Sequence, residues 1–149
     1  MSPGWWVLVA AVAVAVLLGL AKQWHDGRFR RGRRAVADDS GDRLTPAEIG
    51  AELGGQATLL QISSAFCAPC RATRHLLGHV ADQVDGVRHV EIDAESHLDL
   101  VRRLGVMRTP TVLVLDAAGR ITTRASGLPR RHDVVAALGR AIPERQPAD

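Results

Sequence analysis

The chain has 149 residues, room for one ordinary domain and a short extra segment. Apolar residues make up 46% and charged residues 23%, which excludes a disordered chain, while an aromatic share of 3% without tyrosine leaves the core to Val, Leu, Ile and Ala. The net charge of +3 belongs to residues 22–43; from Leu44 onward twelve arginines meet twelve acids, which gives nucleic-acid binding little support.

Residues 1–21, "MSPGWWVLVAAVAVAVLLGLA", carry no charged side chain. The stretch 4–21 would span about 27 Å as a helix, enough to cross a thin bilayer. Apolar residues fall on every face, so a buried helix of a soluble protein fits poorly. Trp5, Trp6 and Trp24 bracket the run as an interfacial belt would. "GLA" at 19–21 would pass as a cleavage site, but Met1 to Gly4 lacks the basic start of a signal peptide, so a retained transmembrane anchor is expected. Lys22, Arg28, Arg30, Arg31, Arg33 and Arg34 all follow the span, and the positive-inside rule then places the C-terminal part in the cytoplasm. This basic segment reads as a stop-transfer flank that also suits anionic headgroups. With the polar tether "AVADDSGDR" it forms a juxtamembrane segment and linker, 22–43.

The domain expected over 44–142 opens on a short helix in "LTPAEIGAELGG". Thr45 is its N-cap, Pro46 its first residue, Glu48 closes a capping box, and Gly54-Gly55 stops it. "ATLLQIS" (57–63) reads as a buried strand. A helix follows Cys67 and runs to about Gln83. "VRHVEID" (87–93) is a second strand, and "HLDLVRRLG" (97–105) an amphipathic helix. Residues 111–126 form a hairpin turning at Ala117 to Gly119. A last helix starts after Pro129 and ends before Pro143, leaving a tail at 143–149. The order α-β-α-β-α-β-β-α implies that the two strands flanking a full helix pair in parallel, and the last two antiparallel.

The only cysteines, Cys67 and Cys70, lie in "SSAFCAPCRATRHLL", where strand gives way to helix. Unpaired N–H groups and the positive end of the helix dipole stabilise a thiolate at Cys67. Within a Cys-x-x-Cys such a position lowers a thiol pKa from ~8.5 to roughly 3.5–7.5. Cys70, one turn on and deeper on the same face, can close a disulfide with it. Cys67 is then the attacking nucleophile and Cys70 the resolving residue. Pro69 fits the first helical turn, and Arg71 and Arg74 add positive charge. A purely structural disulfide is the plainer alternative, although so small a loop stabilises a fold little. A metal site with His75 and His79 is a third reading. His79, however, is about 18 Å along the helix from Cys67, too far for one tetrahedral ion. His75, His79, His89 and His97 are read as ordinary surface or interface residues.

"FCAPC" after an apolar strand, with "GVMRTPTVLVLD" after a further β-α unit, resembles the thioredoxin superfamily over about residues 45–142. The resemblance implies an α/β thioredoxin-like fold, a central mixed sheet flanked by helices, here preceded by one N-terminal transmembrane helix. It implies that Pro110 is cis and packs against the Cys67–Cys70 disulfide. It also implies that the backbone of Thr109 pairs with an extended substrate segment, with Phe66, Ala68 and Pro69 beside the docking site. The sequence departs from the thioredoxin pattern at Phe66 for tryptophan, Ala68 for glycine, and Thr109 for an aliphatic residue. The buried acid six residues before the first cysteine is Gln61, which cannot accept a proton, so deprotonation of Cys70 needs water or another group.

The expected function is thiol–disulfide exchange on protein disulfides, most readily as a reductase, with no cofactor beyond an electron partner such as a thioredoxin reductase or a membrane thiol carrier. An outward-facing oxidoreductase serving cytochrome or envelope-protein maturation is the alternative, and a redox-silent partner-binding or metal-binding domain is another.

Overall fold

The computed structural model describes residues 3–25, 30–31 and 43–142; most of the expected tether and the tail at 143–149 lie outside them. Helix α1 (Pro3–His25) contains the apolar run and is long and apolar enough to cross a membrane. Its side chains at 4–22 are all exposed, on every face, so nothing in the described protein shields them from water.

The sheet is built from β1 (Arg30–Arg31), β2 (Ala57–Ser63), β3 (Val87–Asp93), β4 (Thr111–Asp116) and β5 (Ile121–Ser126), in the order β1-β5-β4-β2-β3. β2 pairs in parallel with β3, as the intervening helix requires, and antiparallel with β4. β4 and β5 form the expected antiparallel hairpin. β1 is an addition: two residues of the basic segment, expected only as a membrane flank, pair with β5 through Arg30–Arg124 and Arg31–Thr123. They cover part of a strand edge that would otherwise leave its N–H and C=O groups unpaired.

Helices pack on both faces because β2 alternates within a fully buried strand. Leu60 and Ile62 point to one side, where they meet Val90, Ile92, Leu113 and Leu115 beneath α2 (Pro46–Ile49) and α4 (Leu98–Arg103). Ala57 and Leu59 point to the other, against Leu77 and Val80 of α3 (Ala68–Gln83) and Val134, Ala137 and Leu138 of α5 (Arg131–Ala141). Each Val, Leu or Ile among them contributes about 1.5–3 kcal/mol when fully buried. This two-sided mixed sheet is the thioredoxin-like architecture implied by the sequence.

Two helices are shorter than their sequence patterns. α2 begins as expected, with Thr45 Oγ1 accepting the Glu48 N–H and Glu48 Oε2 accepting the Thr45 N–H at 2.8 Å. It stops at Gly50, not at Gly54-Gly55, because Gly50 takes a left-handed φ of 66° and returns its N–H to the Pro46 carbonyl. α4 keeps only the middle of 97–105. The hairpin turn is held by Asp116 Oδ1, which accepts the N–H groups of Ala118 and Arg120 at 2.9 Å each.

Gly119 closes that turn at φ 80°, and a Cβ there would lie 2.2 Å from the Leu44 carbonyl oxygen. Gly119→Ala is therefore expected to destabilise the protein by about 1–3 kcal/mol, read as a lower urea midpoint at unchanged m-value.

Candidate active site

β2 ends at Ser63, and α3 begins at Ala68 with Cys67 as its N-cap. Cys67 Sγ accepts the N–H of Cys70 at 3.2 Å, so the sulfur does the capping work usually done by Ser or Asp. The same N–H and dipole that favour a capping oxygen favour a thiolate at this atom. Pro69 lies in the first turn, where no intrahelical donor is lost, and its carbonyl accepts the Thr73 hydroxyl at 3.0 Å.

Cys67 and Cys70 are joined by a disulfide with an S–S distance of 2.11 Å. The two sulfurs are unequal in access: Cys67 is half-buried, whereas Cys70 is 2% exposed. Phe66, beside them, is fully exposed at 101%. Ala68 and Pro69 are also exposed. A cleft of about 780 Å³ opens along this motif, lined by Ser63, Phe66, Cys67, Ala68, Cys70, Arg71, Arg74, Glu91 and Asp93 among others.

The Thr109–Pro110 bond is cis, as the resemblance implied. Pro110 is buried, Thr109 half-buried, and neither lines the cleft. Thr109 Oγ1 lies 3.0 Å from Ser64 Oγ, a hydrogen bond that ties the proline loop to the segment just before the cysteines. Met107, two residues earlier, is 92% exposed. Phe66 and Met107 are thus two large apolar side chains left open to solvent in the two loops joined by this bond.

Gln61 is fully buried, and its amide is well satisfied. Nε2 donates to Cys70 O at 2.9 Å, to Ser63 Oγ at 2.9 Å and, more weakly, to Glu91 Oε1 at 3.4 Å. Oε1 lies 3.2 Å from His89 Nε2. Glu91, opposite Gln61 in the β2–β3 register, also accepts the Ser63 hydroxyl and forms a two-point ion pair with Arg74. Burial alone would raise the Glu91 pKa, but hydrogen bonds from Arg74 and Ser63 and the nearby positive charge outweigh it and hold the carboxyl below its usual value. For His89 burial is the largest influence and pushes the imidazole below its ordinary 6.5. The Glu91 charge opposes this shift and Arg74 adds to it.

The sequence pattern flagged Cys67, Cys70, Arg74 and Gln61 but not the network joining them. His89, read as an ordinary surface or interface residue, is half-buried and bonded to Gln61. Glu91 was legible in principle: once 57–63 is laid parallel to 87–93, Gln61 meets Glu91, and strand alternation puts both on the α3 side. His75 and His79 sit exposed on α3, His79 next to Gln83 at 3.2 Å.

Solved structures of low sequence identity share this fold. The thioredoxin of Fasciola hepatica superposes with a TM-score of 0.52 at 18% identity, over 59% of this chain and 83% of that one. Chloroplastic thioredoxin z gives 0.52 at 24%, over 57% and 77% respectively. A mutant thioredoxin from Halobacterium salinarum gives 0.55 at 16%, over 62% and 80%. No protein-family model and no curated protein matches the chain. At these identities the likeness establishes the thioredoxin-like fold.

The half-buried His89 carries a pH dependence. Its pKa is lower in the folded than in the unfolded chain, so the unfolded chain takes up the proton first as pH falls. The stability associated with neutral His89 is complete above about pH 6.5 and declines below it. Urea midpoints at about pH 7.5 and about pH 5.5 should therefore differ, and His89→Gln should narrow that difference. The Glu91 contribution is lost only at more acidic pH, as its own carboxyl titrates.

Proposed function

We propose that the chain is a membrane-anchored thiol–disulfide oxidoreductase that reduces protein disulfides. The observation that carries the reading is the unequal cysteine pair in one helical turn: a half-buried Cys67 Sγ capping α3 beside an open cleft, and a buried Cys70 behind it. Cys67 as thiolate attacks a substrate disulfide and forms a mixed disulfide. Cys70 then attacks Cys67, releases the reduced substrate and leaves the Cys67–Cys70 disulfide. The exposed Phe66, with Ala68, Pro69 and the Thr109–Pro110 loop, shapes the docking surface, and the backbone at Thr109 pairs with an extended substrate segment. A thioredoxin reductase or a membrane thiol carrier returns the electrons.

In the proposed organisation residues 4–21 anchor the chain, 22–43 form the basic juxtamembrane segment and linker, 44–142 form the redox domain, and 143–149 a tail. The basic residues after the span favour a cytoplasmic domain, a reducing compartment that suits a reductase.

Cys67→Ser is expected to abolish exchange with a protein disulfide, whereas Cys70→Ser should accumulate covalent mixed disulfides visible on non-reducing gels. Retained turnover in the Cys67→Ser protein would sink the mechanism. For the topology, a membrane-impermeant thiol reagent applied to intact cells should leave the reduced Cys67 unlabelled; labelling without permeabilisation would place the domain on the outer face.

A further inference from the structure

The mechanism just given leaves a chemical gap at its second step. A Cys70 thiol must lose its proton before it can attack Cys67, and Gln61, the buried β2 side chain bonded to the Cys70 carbonyl, is an amide that cannot take one. Four charged residues line the cleft that Cys70 shares with Cys67: Arg71, Arg74, Glu91 and Asp93. Only two are bases. Asp93 is engaged at the start of the next loop, its Oδ2 accepting the N–H and hydroxyl of Ser96 at 3.1 and 2.9 Å. His89 faces Gln61 and does not line the cleft. Glu91 does line it, and it is linked through Ser63 and Gln61 to the Cys70 carbonyl. Arg74, which fixes the carboxylate, stands one turn after Cys70 on the same face of α3.

We propose that Glu91 accepts the Cys70 proton through water in the shared cleft, with Gln61, Ser63 and Arg74 acting as positioning residues. The base has moved one strand sideways, from β2 to its parallel neighbour β3. Arg74 has two effects here. It keeps Glu91 ionised and therefore able to accept, and it sets a positive charge near the sulfur on which negative charge develops. Ser63 and, more weakly, Gln61 donate to Glu91 Oε1, which also takes Arg74 Nη2, and they hold the carboxylate toward the cleft; Oε2, which accepts from Arg74 Nε, is the oxygen left for water.

In the mixed disulfide, the Cys70 proton passes through water to the Glu91 carboxylate. The Cys70 sulfur forms a bond to Cys67 Sγ as the bond from Cys67 to the substrate sulfur breaks, and the electron pair leaves with the substrate. That thiolate recovers the proton from Glu91 through the same water. Two electrons have moved from the dithiol to the substrate disulfide, and the two protons lost by Cys67 and Cys70 end on the two substrate sulfurs.

The inference rests on the dithiol-exchange reading, and one experiment separates the two. Reduced full-length protein in detergent is mixed by stopped flow with an aromatic disulfide whose released thiolate is coloured. The first coloured thiolate reports attack by Cys67, the second reports resolution by Cys70. Expected for the unaltered protein is a second phase nearly flat with pH from about pH 5.5 to about pH 7.5, because an ionised carboxylate is already in place. Glu91→Gln should slow that phase by at least about tenfold near neutral pH and make it climb about tenfold per pH unit, as hydroxide takes over. Glu91→Asp should keep the flat profile, and the first phase should be unchanged in both. A second phase that already climbs about tenfold per pH unit in the unaltered protein overturns the role of Glu91 without any variant, as does an unaffected second phase in Glu91→Gln. Absence of a second phase in the unaltered protein overturns the exchange mechanism itself.

Discussion

The handover from β2 to α3 constrains everything around it. A strand buried along its whole length cannot carry its backbone past Ser63 without leaving the core, and the chain turns into a helix within five residues. Cys67 therefore occupies the one position where a side chain must satisfy a helix N–H, and a sulfur there is held where negative charge is favoured. Cys70, one turn further, falls back under the helix and is buried. The unequal accessibility of the two sulfurs is thus a consequence of where the strand stops.

The same strand brings a polar side chain directly beneath the motif. Gln61 is fully buried on the α3 side, and a buried amide without partners costs several kcal/mol. Its cost is offset by Cys70, Ser63, Glu91 and His89, drawn from three different elements. An amide at this point cannot titrate, and the Arg74–Glu91 pair brings charge to the wall of the cleft that the cysteines line. The pair is partly exposed, with side chains at 54% and 22%, so its worth lies more in where it holds two charges than in stability.

Much of this fold is legible in the sequence because strong local signals and long-range packing agree. The strands at 57–63 and 87–93 stand where the apolar runs put them, since a fully or half-buried strand must show its period in sequence. The capping box at Thr45 and Glu48 is a local contact and forms as its spacing implies. The end of α2 departs from expectation because Gly50, Gly54 and Gly55 can all terminate a helix, and only packing selects among them. β1 is invisible for a related reason: two arginines carry no strand pattern, and their pairing is dictated by the exposed edge of β5. The cysteines, Thr109 and Pro110 stand out from spacing and resemblance. Glu91 and His89 carry no such local signal, and their significance emerges only from register with Gln61, thirty and twenty-eight residues away.

The account stands on Cys67 and Cys70 being a two-electron redox couple, and its most direct test is an equilibrium redox titration of the full chain in buffers of graded thiol–disulfide potential. The account predicts full reversibility, a two-electron slope of about 30 mV per tenfold change in ratio, and a midpoint on the reducing side, near about −270 mV. A midpoint near about −120 mV would contradict the reductase assignment, and a pair that fails to cycle between dithiol and disulfide would contradict the redox function altogether.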